Sequence, residues 1–305
     1  MNSTVSTLIQ QTLMMFILAG IGYWLFKIKK ITAEGSKTLG NILIYIVLPA
    51  VIVKSFIVER TPEKIQALLL ATLLGVVALA LAMLISALIF KKDPIANFAS
   101  AFSNVGFFGI PLITGTLGAE AVFFLAPSIA LLNLGQFSYG VAIMTGEKGS
   151  LSFKKVMTAP FMIAIIIGLI LFFTQLPLPG IVTNAMTYLA NVNTPLAMFT
   201  VGVYLAQTDL GAMFKKPQLY WLTVVRLLLI PLATLAVFCL VPAQFHDMKL
   251  AILIGMICPV GSNVAVYAQL HGKDFRYAVE TVIISTIFSI LTMPLVVYLA
   301  EMIWK

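Results

Sequence analysis

Two hydrophobic segments, one in each half of the chain, are interrupted by residues that weaken helices. The first is SNVGFFGIP (Ser103 to Pro111) and the second is CPVGSN (Cys258 to Asn263). Inside a bilayer, such interruptions are tolerated only where they are buried in protein or line a polar cavity. A pair of interrupted helices in two corresponding halves is typical of secondary transporters, so the pattern predicts a carrier with its substrate site near the bilayer midplane.

The composition predicts that the rest of the chain also lies in a membrane. Of the 305 residues, 61% are hydrophobic and 10% are charged, and the mean hydropathy is +1.05. These values exclude a soluble globular protein and predict an all-α integral membrane protein. Apolar runs of about 20 residues predict ten transmembrane helices, numbered here 1 to 10, over residues 8–26, 38–58, 66–90, 95–116, 120–143, 156–174, 180–206, 218–241, 247–270 and 276–300.

The basic residues predict how the chain is oriented. They occupy alternate loops instead of one amphipathic face, which argues against a nucleic-acid-binding protein despite the net charge of +8. One side holds 13 of the 19 Lys and Arg residues: Lys27, Lys29, Lys30, Lys37, Lys91, Lys92, Lys148, Lys154, Lys155, Lys215, Lys216, Lys273 and Arg276. The other side holds four: Arg60, Lys64, Lys249 and Lys305. The positive-inside rule places the richer side in the cytoplasm. The prediction is therefore a multi-pass protein of the cell inner (plasma) membrane with both termini extracytoplasmic and an even number of spans.

Several small residues are expected to serve packing. Cys239 and Cys258 lie inside predicted helices, where we expect apolar packing and not a disulfide or a metal site. Gly20, Gly22 and Gly202 are expected to allow close helix contact. The sequence contains only two His residues and no H-E-x-x-H motif, so we expect no enzyme activity, catalytic metal or cofactor. Because no Lys or Arg precedes the first apolar run, helix 1 is expected to be retained and not cleaved as a signal peptide.

The positions of several landmarks predict an internal duplication. The polar loop from Thr145 to Lys155 divides the ten helices into five and five. Pro49 and Pro195 are 146 residues apart, and Pro111 and Pro259 are 148 residues apart. Five crossings in the first half would insert the second half upside down, so residues 1–147 and 148–305 are predicted to be two inverted repeats.

The interrupted segments contain most of the candidate site residues. In helix 4 these are Asn104, Gly106, Gly109 and Pro111, and in helix 9 they are Pro259, Gly261, Ser262 and Asn263. Because proline lacks an N–H and crowds the carbonyl four residues earlier, we expect helix 4 to open around Phe107 to Pro111, and helix 9 to open where Pro259 frees the carbonyl of Gly255.

Two opened helices that cross would direct two half-helix N-termini into one cavity, which favours an anionic substrate. Asn104 and Asn263 would supply amide donors beside these N-termini. The alternative is that both side chains only satisfy carbonyl groups freed by the prolines.

Other polar residues lie inside the predicted helices. Asn133 and Gln136 share one face of helix 5, where they either line the same cavity or join helices by hydrogen bonds. Arg226 in helix 8 and Glu280 in helix 10 are predicted at similar depth. A mutual ion pair is the first interpretation; an anion or gate contact through Arg226 and proton coupling through Glu280 are the alternatives. Lys54 is expected to reach back to the outer interface.

The sequences NVGFFGIP in helix 4, CPVGSNVAVYA in helix 9 and LPA (Leu48 to Ala50) in helix 2 resemble the auxin efflux carrier family, the bacterial relatives of plant PIN transporters. The resemblance implies a fold similar to sodium/proton antiporters and bile-acid symporters, with helices 4 and 9 crossing at their breaks. It also implies a scaffold of helices 1, 2, 6 and 7, often dimeric, and an elevator-like transport bundle of helices 3, 4, 5, 8, 9 and 10. Asn133 and Gln136 resemble a polar pair in the plant substrate site, although the spacing differs.

The leading functional hypothesis is a carrier or uniporter for a small organic anion. The resemblance implies a mono- or dicarboxylate such as malate or malonate, or an auxin-like acid. The alternatives are a sodium-coupled symporter of the bile-acid type, with Ser262, Asn263 and Gln269 as possible oxygen ligands, and a non-transporting membrane sensor. The sequence leaves sodium or proton coupling open, and a homodimer is expected only through the resemblance.

Overall fold

The computed structural model describes residues 3–146 and 156–304. All regular elements within these ranges are helical. The predicted repeat boundary at 147/148, together with most of the loop around it, lies outside the described residues.

The described chain is built mainly from twelve helices. They are α1 (Ser3–Lys27), α2 (Ala33–Ser55), α3 (Pro62–Ile89), α4 (Pro94–Ala101), α5 (Val105–Leu117), α6 (Ala119–Thr145), α7 (Pro160–Thr174), α8 (Gly180–Gln207), α9 (Pro217–Phe238), α10 (His246–Ile257), α11 (Asn263–Leu270) and α12 (Phe275–Ile303). A single helical turn at Leu210–Met213 precedes α9.

Seven helices in the described residues are long and apolar enough to cross a membrane: α1, α2, α3, α6, α8, α9 and α12. The helices α5 and α7 are shorter and apolar. The chain is therefore a multi-pass helical membrane protein. The predicted helices 4 and 9 are each divided in two, as α4 with α5 and α10 with α11. Both halves of the chain thus have the same order of elements: three helices, a divided helix and one more helix.

The starts of four helices are fixed by side-chain caps. In each case an oxygen of the residue before the helix accepts a hydrogen bond, 2.9–3.2 Å long, from the backbone N–H three residues later. The capping residues are Thr32, Thr61, Asp93 and Asp274. Such caps satisfy backbone donors that the helix itself leaves without a partner.

The closest helix contact described lies between α1 and α8. A Cβ atom at Gly202 would overlap with the carbonyl oxygen of Ala19, and one at Gly22 would overlap with that of Phe199. These two glycines therefore allow backbone contact, as the sequence predicts. The prediction for Gly20 is wrong, because nothing lies within 4 Å of its Cβ position. Gly20 instead lines an apolar cavity of about 340 Å³ between α1, α8 and α12.

Prolines inside three helices follow a π-helical turn. The turns are Leu43–Val47 in α2, Val105–Gly109 in α5 and Val225–Leu229 in α9, and each is followed two residues later by Pro49, Pro111 or Pro231. A π turn shifts the hydrogen-bond register and so accommodates a residue without an N–H. Because of these turns the helices continue past their prolines.

Candidate functional site

The first break lies between α4 and α5. The helix α4 ends at Ala101, and α5 begins at Val105 after an extended Phe102 (φ −113°, ψ 117°). The prediction that helix 4 opens around Phe107 to Pro111 is wrong. Pro111 lies in the first turn of the α-helical part of α5, where the preceding π turn accommodates it. The chain instead opens at residues 102–104.

The second break lies between α10 and α11, at residues 258–262. The helix α10 ends at Ile257, and Cys258 has an extended conformation (φ −58°, ψ 150°), as residues before proline prefer. The helix α11 begins at Asn263. This break lies where Pro259 predicts it.

The two breaks are in direct backbone contact. Ser103 and Val260 form an isolated antiparallel bridge. The Asn104 N–H donates to the Pro259 carbonyl at 2.8 Å, and the Gly261 N–H donates to the Phe102 carbonyl at 3.0 Å. These bonds satisfy groups that no helix can satisfy at the breaks.

Three further contacts complete the junction of the breaks. The Val260 N–H donates to Ser285 Oγ of α12 at 3.0 Å. Gly261 permits the close approach of the two chains, because a Cβ there would lie 3.1 Å from the Ser103 carbonyl oxygen. Gly109 faces the second break from α5, since its Cβ position lies 3.2 Å from Cys258 Sγ. Gly261 and Gly109 therefore allow dense packing around the junction.

The C-terminal ends of α4 and α10 share one cation, Arg226 of α9. Its side chain is fully buried. Nε donates to the Cys258 carbonyl at 3.1 Å, Nη1 donates to the Ser100 carbonyl at 3.0 Å, and Nη2 donates to the Met256 carbonyl. Helix C-termini carry partial negative charge, so the guanidinium is matched to both ends.

The predicted ion pair between Arg226 and Glu280 is wrong. The Glu280 carboxylate binds Lys216 Nζ through Oε2, and its Oε1 lies 3.3 Å from Arg276 Nε. The Oε1 contact has ion-pair distance without hydrogen-bond geometry. Arg226 lies nine residues into α9, roughly 14 Å along its axis, whereas Lys216 directly precedes that helix. The difference in depth separates Glu280 from Arg226.

The side-chain amides near the N-terminal ends of α5 and α11 differ in their contacts. Asn263 Nδ2 donates to Gln136 Oε1 of α6 at 2.7 Å. Asn104 is 6% exposed, and its buried Nδ2 has no hydrogen-bond partner among the described residues. Asn133 Nδ2 donates to the Ile129 carbonyl of its own helix at 2.8 Å. The structure thus joins Gln136 to Asn263 at the start of α11, whereas the Asn133 amide bonds within its own helix.

The remaining predicted site residues lie around these amides. Ser262 is partly buried at the end of the second break, directly before α11. Gly106 faces α2, since its Cβ position lies 3.5 Å from Leu48 Cδ1. In α11, the N–H groups of Val264 and Ala265 already donate to the Gly261 and Ser262 carbonyls at 3.2 and 3.1 Å. The N–H groups at the very start of α5 and α11 have no acceptor within their own helices. Together with the Asn104 amide, these donors can bind a carboxylate without a fixed positive charge.

A polar cavity of about 360 Å³ lies between α2 and α8 on one side and α5 and α6 on the other. Its polar lining comprises Lys54, Ser55, Thr114, Glu120, Thr183, Thr187, Asn191, Asn193 and Thr194. Among the described ion pairs none includes Lys54 or Glu120.

This cavity extends away from the first break. Along α2, Leu48 faces Gly106 in the first turn of α5, just after the break, and Lys54 follows within two turns. Along α5, Thr114 lies ten residues beyond Asn104, roughly 15 Å at helical rise. This cavity was not predicted from the sequence.

A signal for the cavity was nevertheless present in the sequence. Thr183, Thr187, Asn191 and Thr194 recur at helical spacing on one face of α8, and all four line the cavity. A polar face on a helix long enough to span a membrane indicates a cavity or a helix contact.

Interrupted helices that meet in a polar junction are a feature of secondary membrane transporters. The sequence profile of the family described as "Membrane transport protein" matches residues 7–154 and 144–297. The chain belongs to this family, the auxin efflux carrier-like membrane transport proteins, which confirms the resemblance found in the sequence.

Three relatives match nearly the whole chain. A Rhizobium meliloti protein named "Putative malonate transporter" is 25% identical over 304 residues, covering 93% of each chain. An uncharacterized transporter of Methanocaldococcus jannaschii is 26% identical over 304 residues, covering 93% of this chain and 96% of the relative. An uncharacterized transporter of Methanothermobacter thermautotrophicus is 24% identical over 301 residues, covering 94% and 96%.

Proposed function

We propose that this protein is a secondary carrier or uniporter for a small organic anion, a mono- or dicarboxylate such as malate or malonate. The observation that carries the proposal is the contact between the two breaks, which places the N-termini of α5 and α11 and the Asn104 amide in one region. Such donors suit carboxylates. The relative named as a malonate transporter supports the same substrate class.

The transport mechanism that fits this proposal is an elevator. In it, the chain crosses the membrane ten times as two inverted five-helix repeats, and the two breaks are the crossing point of predicted helices 4 and 9. The scaffold is α1, α2, α7 and α8, which also forms the homodimer contact, and the other eight helices move. The polar cavity supports this division, because α2 and α8 line one side of it and α5 and α6 line the other.

The orientation proposed from the basic loops puts the cavity at the extracytoplasmic side. Lys54 lies there near the C-terminal end of α2 and gives the cavity a cation that no described ion pair neutralises. Glu120 lies exposed at the rim. We place substrate entry in this cavity and substrate binding at the breaks, with both termini outside the inner membrane.

Uptake by purified protein in liposomes tests the proposal. Radiolabelled malonate and malate are offered to vesicles that contain the wild-type protein, the Asn104→Ala variant or no protein. We expect saturable uptake by the wild type, suppressed by excess unlabelled dicarboxylate and absent from empty vesicles. A membrane sensor on the same fold would bind these anions without flux. Wild-type vesicles that match empty vesicles for every small carboxylate would refute the carrier proposal.

A further inference from the structure

Three backbone carbonyl oxygens surround the buried guanidinium of Arg226 beside the junction of the breaks. They belong to Ser100 in the last turn of α4, Met256 in the last turn of α10 and Cys258 at the start of the second break. Carbonyl groups at the end of a helix have no partner within it and carry partial negative charge. All three need hydrogen-bond donors or a cation among them, because they are buried without a helical partner.

Such a set of oxygens has the chemistry of a sodium site. In transporters with broken helices, unwound backbone carbonyls and the C-terminal ends of half-helices coordinate the coupling ion. Here the Arg226 guanidinium donates to all three oxygens. Among the described ion pairs none includes Arg226, so backbone carbonyls and not a carboxylate surround its charge.

We propose that the Arg226 guanidinium permanently occupies the position that a coupling sodium ion would take, so that transport by this chain is independent of sodium. This inference rests on the proposed carrier function and states whether that transport is coupled to sodium. Because Arg226 binds both α4 and α10, the cation remains with the two breaks in any motion that moves them together. The positive charge is therefore present at the site in every step and needs no ion from solution.

The first test needs no variant. Uptake of malonate into liposomes is compared in media with sodium, potassium or choline as the cation, at equal ionic strength. We expect initial rates that differ by less than about twofold among the three media. Uptake that falls by about tenfold or more when sodium is replaced would overturn the proposal.

The second test removes the guanidinium. The Arg226→Ala variant leaves the three carbonyl groups without a donor, so we expect sodium to enter and raise its Tm relative to potassium or choline. Wild type and Arg276→Ala keep the guanidinium of Arg226, so their Tm should be equal in the three media. Arg276 is a matched control because its contacts are to Glu280 and Asp209. A folded Arg226→Ala protein with the same Tm in every cation would overturn the proposal.

The Arg226→Lys variant extends the test if alanine prevents folding. An ammonium keeps the charge but cannot present the planar donor fork of arginine to three oxygens. We expect uptake by this variant to remain independent of sodium but to be about tenfold slower than in the wild type, because hydrogen bonds to a charged group are lost. The proposal would be contradicted if the lysine variant or the wild type needed sodium for uptake. A Tm that depended on sodium in either protein would contradict it as well. The sodium effect on Tm involves no organic anion, so it can be observed even if malonate and malate prove not to be substrates.

Discussion

The two breaks have the same place in their halves of the chain but are built differently. The first comprises residues 102–104, and its proline lies beyond a π turn in the following helix. The second comprises residues 258–262 and contains its proline. The side-chain Nδ2 of Asn104 has no partner among the described residues, whereas Nδ2 of Asn263 donates to Gln136. A shared position in two halves therefore does not mean a shared role: one amide is available to a ligand, and the other joins helices.

The two breaks differ in where their prolines lie and in the side-chain amides at the starts of the helices that follow them, α5 and α11. The helices that precede the breaks, α4 and α10, both end at the guanidinium of Arg226. The backbone bonds between the breaks are likewise reciprocal, with one N–H donated from each side. The contacts that both breaks share stabilise the junction. The side-chain amides, which differ between the breaks, are expected to recognise the substrate.

The largest effect is expected from Asn104→Ala. Loss of a hydrogen bond to a charged group costs about 1.5–3 kcal/mol, so uptake of malonate should fall by roughly tenfold to a hundredfold. Stability should hardly change, because Nδ2 has no partner to lose in the described structure. Initial rates in liposomes and Tm in detergent measure both quantities. A variant with normal uptake would contradict the role given to the first break.

A smaller effect on transport, with a clear effect on stability, is expected from Asn263→Ala. The change leaves Gln136 Oε1 without its 2.7 Å hydrogen bond, at a cost of about 1–3 kcal/mol. Tm should therefore fall. The double variant Asn263→Ala, Gln136→Ala should be less destabilised than the sum of the single variants, because both remove the same bond. Additive losses would mean that the two amides act separately and that the comparison of the breaks is wrong.

The sequence predicted the helices better than their interruptions. The lengths of the apolar runs place helix 7 at residues 180–206, and α8 is found at Gly180–Gln207. The position of the first break could not be found in this way. A proline predicts a missing hydrogen bond, but whether the helix opens or takes up a π turn depends on its neighbours in the fold.

Arg226 illustrates a second limit of the sequence argument. Its charge suggests a partner of opposite charge at similar depth, and Glu280 is the nearest such residue by that measure. The partners found are backbone carbonyl groups, which every residue possesses and no sequence pattern distinguishes. Only the meeting of α4 and α10 creates the negative region that selects the guanidinium.

A moderate effect is expected from Lys54→Ala, which tests whether the first break is reached through the cavity. A unit charge acting at an effective dielectric constant of about 20 contributes on the order of 1 kcal/mol after partial screening. KM for malonate should rise about fivefold with little change in the maximal rate. Lys54→Arg keeps the charge and serves as the control. An unchanged KM at low salt in the alanine variant would exclude this entry route.

The smallest effect is expected from Asn133→Ala, the matched control for both breaks. Asn133 is an asparagine like Asn104 and Asn263, but it lies inside α6 and its side-chain amide donates to the Ile129 carbonyl of its own helix. That carbonyl also accepts a backbone hydrogen bond within the helix, so removal of the side chain leaves no buried polar group without a partner. Uptake should stay within about twofold of the wild type. A tenfold loss would show that α6 contacts the substrate through Asn133, and the polar face of α6 would then join the Asn104 amide in binding the anion.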